Sequence, residues 1–181
     1  MNNHGAPTHN FAINEACDFV SETFQVTMLH VTGLLRADPS IQAAGQKVNS
    51  KYFSASQLSA LGLDIHGGVG ETSGTLAIRP DLVSPQYCKL PSRVGRSFEE
   101  LREIAAAPGW EGYLSDPAKA SAAHGRAVEA WWIAGFAELI LRAVRGENRF
   151  GHPRLPDAIP APVVAVTEKG PRQRGGRRSY P

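Results

Sequence analysis

The chain has 181 residues, 42% hydrophobic and 20% charged, a balance that can bury a globular core and excludes disorder throughout. Its net charge of +2 collects at the end, where Lys169, Arg172, Arg174, Arg177 and Arg178 meet no acid after Glu168, so the body is close to neutral or mildly acidic. Two cysteines, Cys17 and Cys88, without Cys-x-x-Cys spacing exclude a disulfide framework, and no apolar run reaches the roughly 18 residues of a membrane helix. The N-terminal "MNNHGAPTHN" lacks the charged and apolar regions of a signal peptide, so a cytoplasmic protein with free buried thiols is expected, with no membrane partner.

In chain order, Asn10 is placed to cap a helix whose apolar positions Ile13, Ala16, Cys17, Val20 and Phe24 recur at three-and-four spacing. "VTMLHVTGLL" follows, rich in β-branched and apolar residues and ending at Gly33, and predicts a buried strand. The polar stretch from Arg36 to Asp64 predicts a surface excursion with one short helix around Ser56 to Leu61. A further helix is expected to begin close to Glu71 and to end before Pro80, because proline lacks the N–H that a helix interior needs. Ser97 and Glu100 form a capping box at the head of "SFEELREIAAA", a helix reaching about Pro108. Asp116 and Pro117 read as N-cap and first position of a last long helix that meets no breaker until Gly146, with Val128, Trp132, Gly135, Phe136, Leu139 and Ala143 on one face. Trp131 and Trp132 are read as packing residues. Beyond Leu155 the prolines, glycines and arginines cannot support a packed core, so residues 1–154 form the domain and 155–181 a Pro/Gly/Arg-rich disordered tail.

"HGGVGETSGTLAIRPDLV", residues 66–83, holds the chemistry. It places His66 and Glu71 on either side of Gly67, Gly68 and Gly70, at the entrance to a helix. Glycines allow a sharp turn and a close approach to a ligand, a carboxylate is a hard oxygen ligand, and imidazole moves protons near neutral pH. The helix N-terminus adds N–H donors that favour an anionic group. The same residues also describe a surface turn whose glutamate caps a helix, and the spacing leaves both readings open.

This block closely resembles the His-Ala-Gly-x-x-Glu-Thr-Ser signature of the creatininase (creatinine amidohydrolase) family. "WEGYLSDPAKASAAHG" resembles the family's Gly-x-x-Gly-Asp-Pro segment, with Ser115 where glycine is usual, and "NNHGAPTHNFAINEA" resembles its Asn-Gly-His turn, with Asn3 for the glycine. The three blocks stand in the family's order and cover roughly residues 2–150.

The resemblance implies an α/β fold, a three-layer α/β/α domain with a mostly parallel sheet. It implies hydrolysis of a small cyclic or linear amide by a water activated on divalent zinc or manganese. Residue by residue it implies His4 as a metal ligand, Glu71 as a metal ligand or its close neighbour, and His66 in proton transfer. The family's Glu-x-His-Gly-x-His segment upstream of the Asn-Gly-His turn has no counterpart here, so the chain is expected to represent the C-terminal portion of such a domain, truncated at the N-terminus. Ala6 and Gly62 stand where the creatininases proper carry a glutamate and a tryptophan, which points to an amide other than creatinine. The alternative is a non-catalytic remnant with a structural or oligomerisation role. A homo-oligomer is the expected partner state, since a truncated sheet would leave an uncovered edge.

His9, His30, His124 and His152 have no partner at ligand spacing and are read as structural or loop residues. The basic tail "KGPRQRGGRRSY" has one aromatic, Tyr180, and is read as solvated, without nucleic-acid binding.

Overall fold

The structure, a computed structural model, describes residues 7–147. His4, His152 and the tail 155–181 lie outside the described residues. The chain separates into two compact units, Met1–Pro39 with Glu138–Pro181, and Ser40–Ala137.

In the first unit, the helix expected after Asn10 is present as α1 (Pro7–Phe24), but it begins three residues earlier, so Asn10 is buried inside it rather than capping it. Its buried positions Asn10, Asn14 and Cys17 lie on one face, of which the expected apolar face shares only Cys17, while Ala16 and Phe24 are exposed. Residues 26–30 then leave the helix through Gln25, which takes the left-handed conformation at φ 54°. They are followed by α2 (Val31–Ala37), whose Leu35 is completely buried. Asp38, also buried, ends α2 and receives Arg142 Nη1 at 3.0 Å, an ion pair tying the C-terminal turns of the last helix to this junction.

The described residues contain no β-strand and no sheet, which overturns the expected α/β class with its three-layer α/β/α domain. Their one β-type pairing is the isolated antiparallel bridge between Arg93 and Ser115. The reason is visible at the expected strand. A strand is stabilised by a neighbour across its ladder, and residues 26–30 have no described strand beside them. Val26 and Met28 stay largely exposed, and the Ser21 hydroxyl alone serves Met28, accepting its N–H at 3.0 Å and donating to its carbonyl at 3.3 Å. The apolar residues that follow reach burial by coiling into α2 instead.

In the second unit, α3 (Pro39–Asn49) and α4 (Ala55–Leu61) replace most of the expected surface excursion. The polar residues around Ile41 and Gly45 obscured a helical face that both of these buried positions share. Gly45 lies under Trp131, where a Cβ would come within 2.7 Å of the indole, and Trp131 Nε1 donates to the Ile41 carbonyl at 2.8 Å. Ser54 and Gln57 form a full capping box at the head of α4. Its last residue, Leu61, packs with Phe53, Val69 and Leu58.

The next helices, α5 (Val69–Ile78) and α6 (Phe98–Ala106), fall where expected. Ser97 caps α6 through the Glu100 N–H at 3.1 Å, while Glu100 reaches one residue further back than in a capping box, accepting from the Arg96 N–H at 2.6 Å. The last helix is shorter than predicted. Asp116 and Pro117 begin only a 3-10 turn, Pro117–Lys119, and Ala120 then extends and is buried. The helix α7 (Ala122–Val144) starts two residues later, where the Ser121 hydroxyl accepts the His124 N–H at 3.2 Å. No described helix is long and apolar enough to cross a membrane. Neither cysteine forms a disulfide; Cys17 is buried as expected and Cys88 is exposed, because Cys88 lies in the surface 3-10 turn Pro85–Lys89.

His124 joins three helices of this unit. One ring nitrogen, Nε2, lies 3.0 Å from Asn49 Oδ1 on α3, and the other, Nδ1, lies 3.2 Å from Ser73 Oγ on α5, which itself accepts the Ser121 N–H at 3.0 Å. The neutral tautomer with hydrogen on Nε2 satisfies all of these contacts, Ser73 donating to Nδ1. Burial pushes the His124 imidazole below its ordinary range, and His30 of the first unit, 3.0 Å from Asn14 Oδ1, is lowered by burial first and then by the charge of His9. Lowered histidines contribute stability that is complete above the unfolded value of about 6.5 and is lost as pH falls toward the folded values. The denaturant midpoint is therefore expected to be level from pH 7 to 8 and to fall below pH 6.5, with a slope of up to one proton per histidine. An equal midpoint at pH 7.5 and 5.5 would contradict this assignment.

Candidate functional site

The loop from Gly62 to Glu71 is built on backbone hydrogen bonds that side chains complete. Gly62 closes α4 at φ 63°, and the Leu63 N–H donates to the Gly95 carbonyl at 2.9 Å. Asp64 then turns its carboxylate back over the head of α5, where Oδ2 accepts the Gly70 N–H at 2.7 Å and the Val69 N–H also bonds to it. A helix leaves its first N–H groups without intrahelical partners, and Asp64 supplies them across the loop. Desolvation raises its pKa above the ordinary carboxylate value, against the downward pull of the two backbone N–H bonds, and the Glu71 charge adds to the rise.

Gly67 turns at φ 62°, a conformation that glycine adopts without the penalty a side chain brings. Its N–H donates to Glu71 Oε2 at 2.6 Å, and its carbonyl accepts from Thr72 Oγ1 at 3.1 Å. Glu71 therefore caps the head of its own helix and fixes the turn that carries His66. One of its carboxylate oxygens is committed to the backbone. His66 is exposed, its carbonyl accepting the Leu114 N–H at 2.8 Å and its ring centroid 6.3 Å from that of Trp110.

Two of the three sequence blocks thus meet in space. The segment of residues 64–73 is joined to residues 110–121 through Leu114 and His66, through the Ser115 hydroxyl and the Asp64 carboxylate, and through the Ser121 N–H and Ser73. Ser115, where the family has glycine, has φ 68° and is completely buried. Left-handed backbone costs a non-glycine residue roughly 1–2 kcal/mol, and here the side chain that brings the strain also donates to the Leu61 carbonyl at 3.0 Å.

His4, the histidine of the third block, lies outside the described residues. Among the described residues no three of His, Cys, Asp or Glu come together as a group able to hold a metal ion. Sequence reasoning missed Asp64 and Trp110. An aspartate seven residues before the expected helix start at Glu71, with glycines between, was a legible signal for the first, since such carboxylates bond to nearby backbone N–H groups. Nothing local linked Trp110 to His66, 44 positions earlier in the numbering.

The family profile described as creatinine amidohydrolase matches residues 1–140, which include all three blocks. No curated protein and no solved structure gives a significant match.

Proposed function

The chain belongs to the creatininase family, and on that footing we propose that it is an amidohydrolase that opens the C–N bond of a small cyclic or linear amide. The family match over residues 1–140 carries the reading. His66 is the proton-transfer group, exposed on a turn held by its own carbonyl and by the Gly67–Glu71 bond, so the imidazole is presented to solvent from an anchored backbone. Its task is to move a proton to the leaving nitrogen, which is otherwise a poor leaving group. Glu71 and Asp64 hold the loop and the first turn of α5.

The family uses divalent ions, zinc or manganese, and the donor set described here does not fit one. Glu71 has one oxygen engaged by Gly67, and among the described residues no third carboxylate, thiolate or imidazole joins it and His66. With His4 as the remaining proposed ligand, an ion would keep mostly water ligands and be loosely held, because tight binding comes from several preorganised groups acting together. Calorimetric titration with zinc and with manganese is expected to show no pair of tight sites. Two tight sites abolished by Glu71→Ala would show that the ligand set is complete.

The same observation favours a second reading, a non-catalytic member of the family with a structural role. The two separate on one assay, ammonia or amine release from a set of cyclic and linear amides with zinc or manganese in large excess. Turnover that His66→Ala removes supports the hydrolase; absence of turnover on every amide supports the second reading.

A further inference from the structure

The end of α1 carries apolar side chains that the described residues leave in water. Phe19 and Phe24 are 62% and 63% exposed, and Val26 and Met28, just beyond the helix, 52% and 45%. Phe19 lies on the side of α1 turned away from the buried Asn10, Asn14 and Cys17, with Glu15 and Glu22 as its neighbours one turn before and one turn after. Met28 is held beside the last turns by its two backbone bonds to the Ser21 hydroxyl, so the apolar residues gather at one end of the helix. Soluble proteins rarely leave such residues grouped on a surface unless something binds there. The charge is one-sided as well. The helix contains Glu15, Asp18 and Glu22 and no lysine or arginine, although the C-terminal end of a helix is the negative end of its dipole and favours cations.

The complementary chemistry, apolar and then basic, stands in one segment of this chain. Val163, Val164 and Val166 are followed by Lys169, Arg172 and Arg174, with Glu168 the one acid among them. The segment belongs to the same compact unit as α1. The chain from Glu147, the last described residue, to Val163 reaches up to roughly 50 Å, more than the roughly 30 Å of a small domain, so its length permits the contact. A tether of this kind holds a segment at an effective concentration on the order of millimolar, enough for a small contact to be occupied. A sequence unable to build a core of its own can still bury side chains on one already formed.

We propose that the end of α1 is a docking surface for residues 163–174 of the chain's own tail, with the valines on Phe19, Phe24, Val26 and Met28 and the basic side chains against Glu15, Asp18 and Glu22. Valine burial supplies the affinity that exposed ion pairs lack singly, and the charges set the direction in which the segment lies.

The test measures amide hydrogen exchange of the tail in the full chain, with the free peptide of residues 155–181 as reference. The Ala165 and Val166 amides are expected to exchange at least about tenfold more slowly in the full chain, independently of protein concentration. Phe19→Ser, at a side chain already mostly in water, is expected to return them to the peptide rate, as is Val163→Ser combined with Val164→Ser. Glu15→Arg with Glu22→Arg is expected to remove most of the protection. Adding Arg172→Glu and Arg174→Glu to that variant is expected to restore it, an exchange of signs that a general loss of stability would not reproduce. Tail amides exchanging at the peptide rate in the full chain, or protection that survives Phe19→Ser, would overturn the proposal. Protection that grows with protein concentration would assign the surface to a second copy and overturn it equally.

Discussion

Replacing His66 by alanine is expected to lower the rate of amide hydrolysis by about a hundred- to ten-thousand-fold while leaving the fold intact. The magnitude is that of losing one positioned acid or base. Stability is spared because the residue holds its place through its carbonyl, which accepts the Leu114 N–H at 2.8 Å and which alanine retains, while the imidazole itself is exposed. The effect should fall on kcat more than on KM, since a proton-transfer group acts in the transition state. Steady-state kinetics of the variant beside its thermal melt decide the matter. An unchanged rate with an unchanged melt would return His66 to a surface turn.

Gly68→Ala is expected to destabilise the protein by about 1–3 kcal/mol, the cost of forcing a group into a filled space. A Cβ there would run into the Asp64 carboxylate and come within 2.6 Å of the Leu114 carbonyl and 2.9 Å of Ser115 Cβ. None of these can retreat cheaply: Asp64 holds the head of α5, Leu114 is buried with its N–H bonded to His66, and Ser115 is buried with its N–H and carbonyl both bonded to Arg93. The control lies six residues along the same helix. Gly74 has nothing within 4 Å of the same position, and Gly74→Ala is expected to stabilise by about 0.5–1 kcal/mol, the ordinary gain of alanine over glycine inside a helix. Urea denaturation of both variants gives opposite signs if the Asp64–Gly68 contact is real, and a neutral Gly68→Ala would show that the loop opens without cost.

The elements legible in the sequence were those written in local chemistry. The existence of α1, the Ser97 cap of α6, the helix entered beside Glu71 and the apolar face of α7 through Gly135 and Leu139 all depend on residues three or four positions apart. The helices missed or misplaced show the limits of the same reasoning. The α3 helix hid behind polar residues because Gly45, its point of contact, is apolar only by virtue of the Trp131 ring that covers it. The start of α7 was set five residues late, at Ala122 instead of Pro117, by Ser121, which serves as a cap only because Ala120 is drawn into a buried position just before it.

By itself the sequence determined the family, through three ordered blocks, and the glycine turn that presents His66, because positive φ at Gly67 and the Glu71 cap are properties of a few adjacent residues. Tertiary structure alone decided the rest. Whether residues 26–30 become a strand depends on a partner across the ladder, which no property of those residues supplies; without one among the described residues they form no regular element, and the apolar run after them coils into α2. The neighbours of the site were decided in the same way, for Asp64 is joined to Ser115 and His66 to Trp110 by the folding back of a distant segment. Contacts across such separations are set by packing of the whole unit, and short-range periodicity carries no record of them.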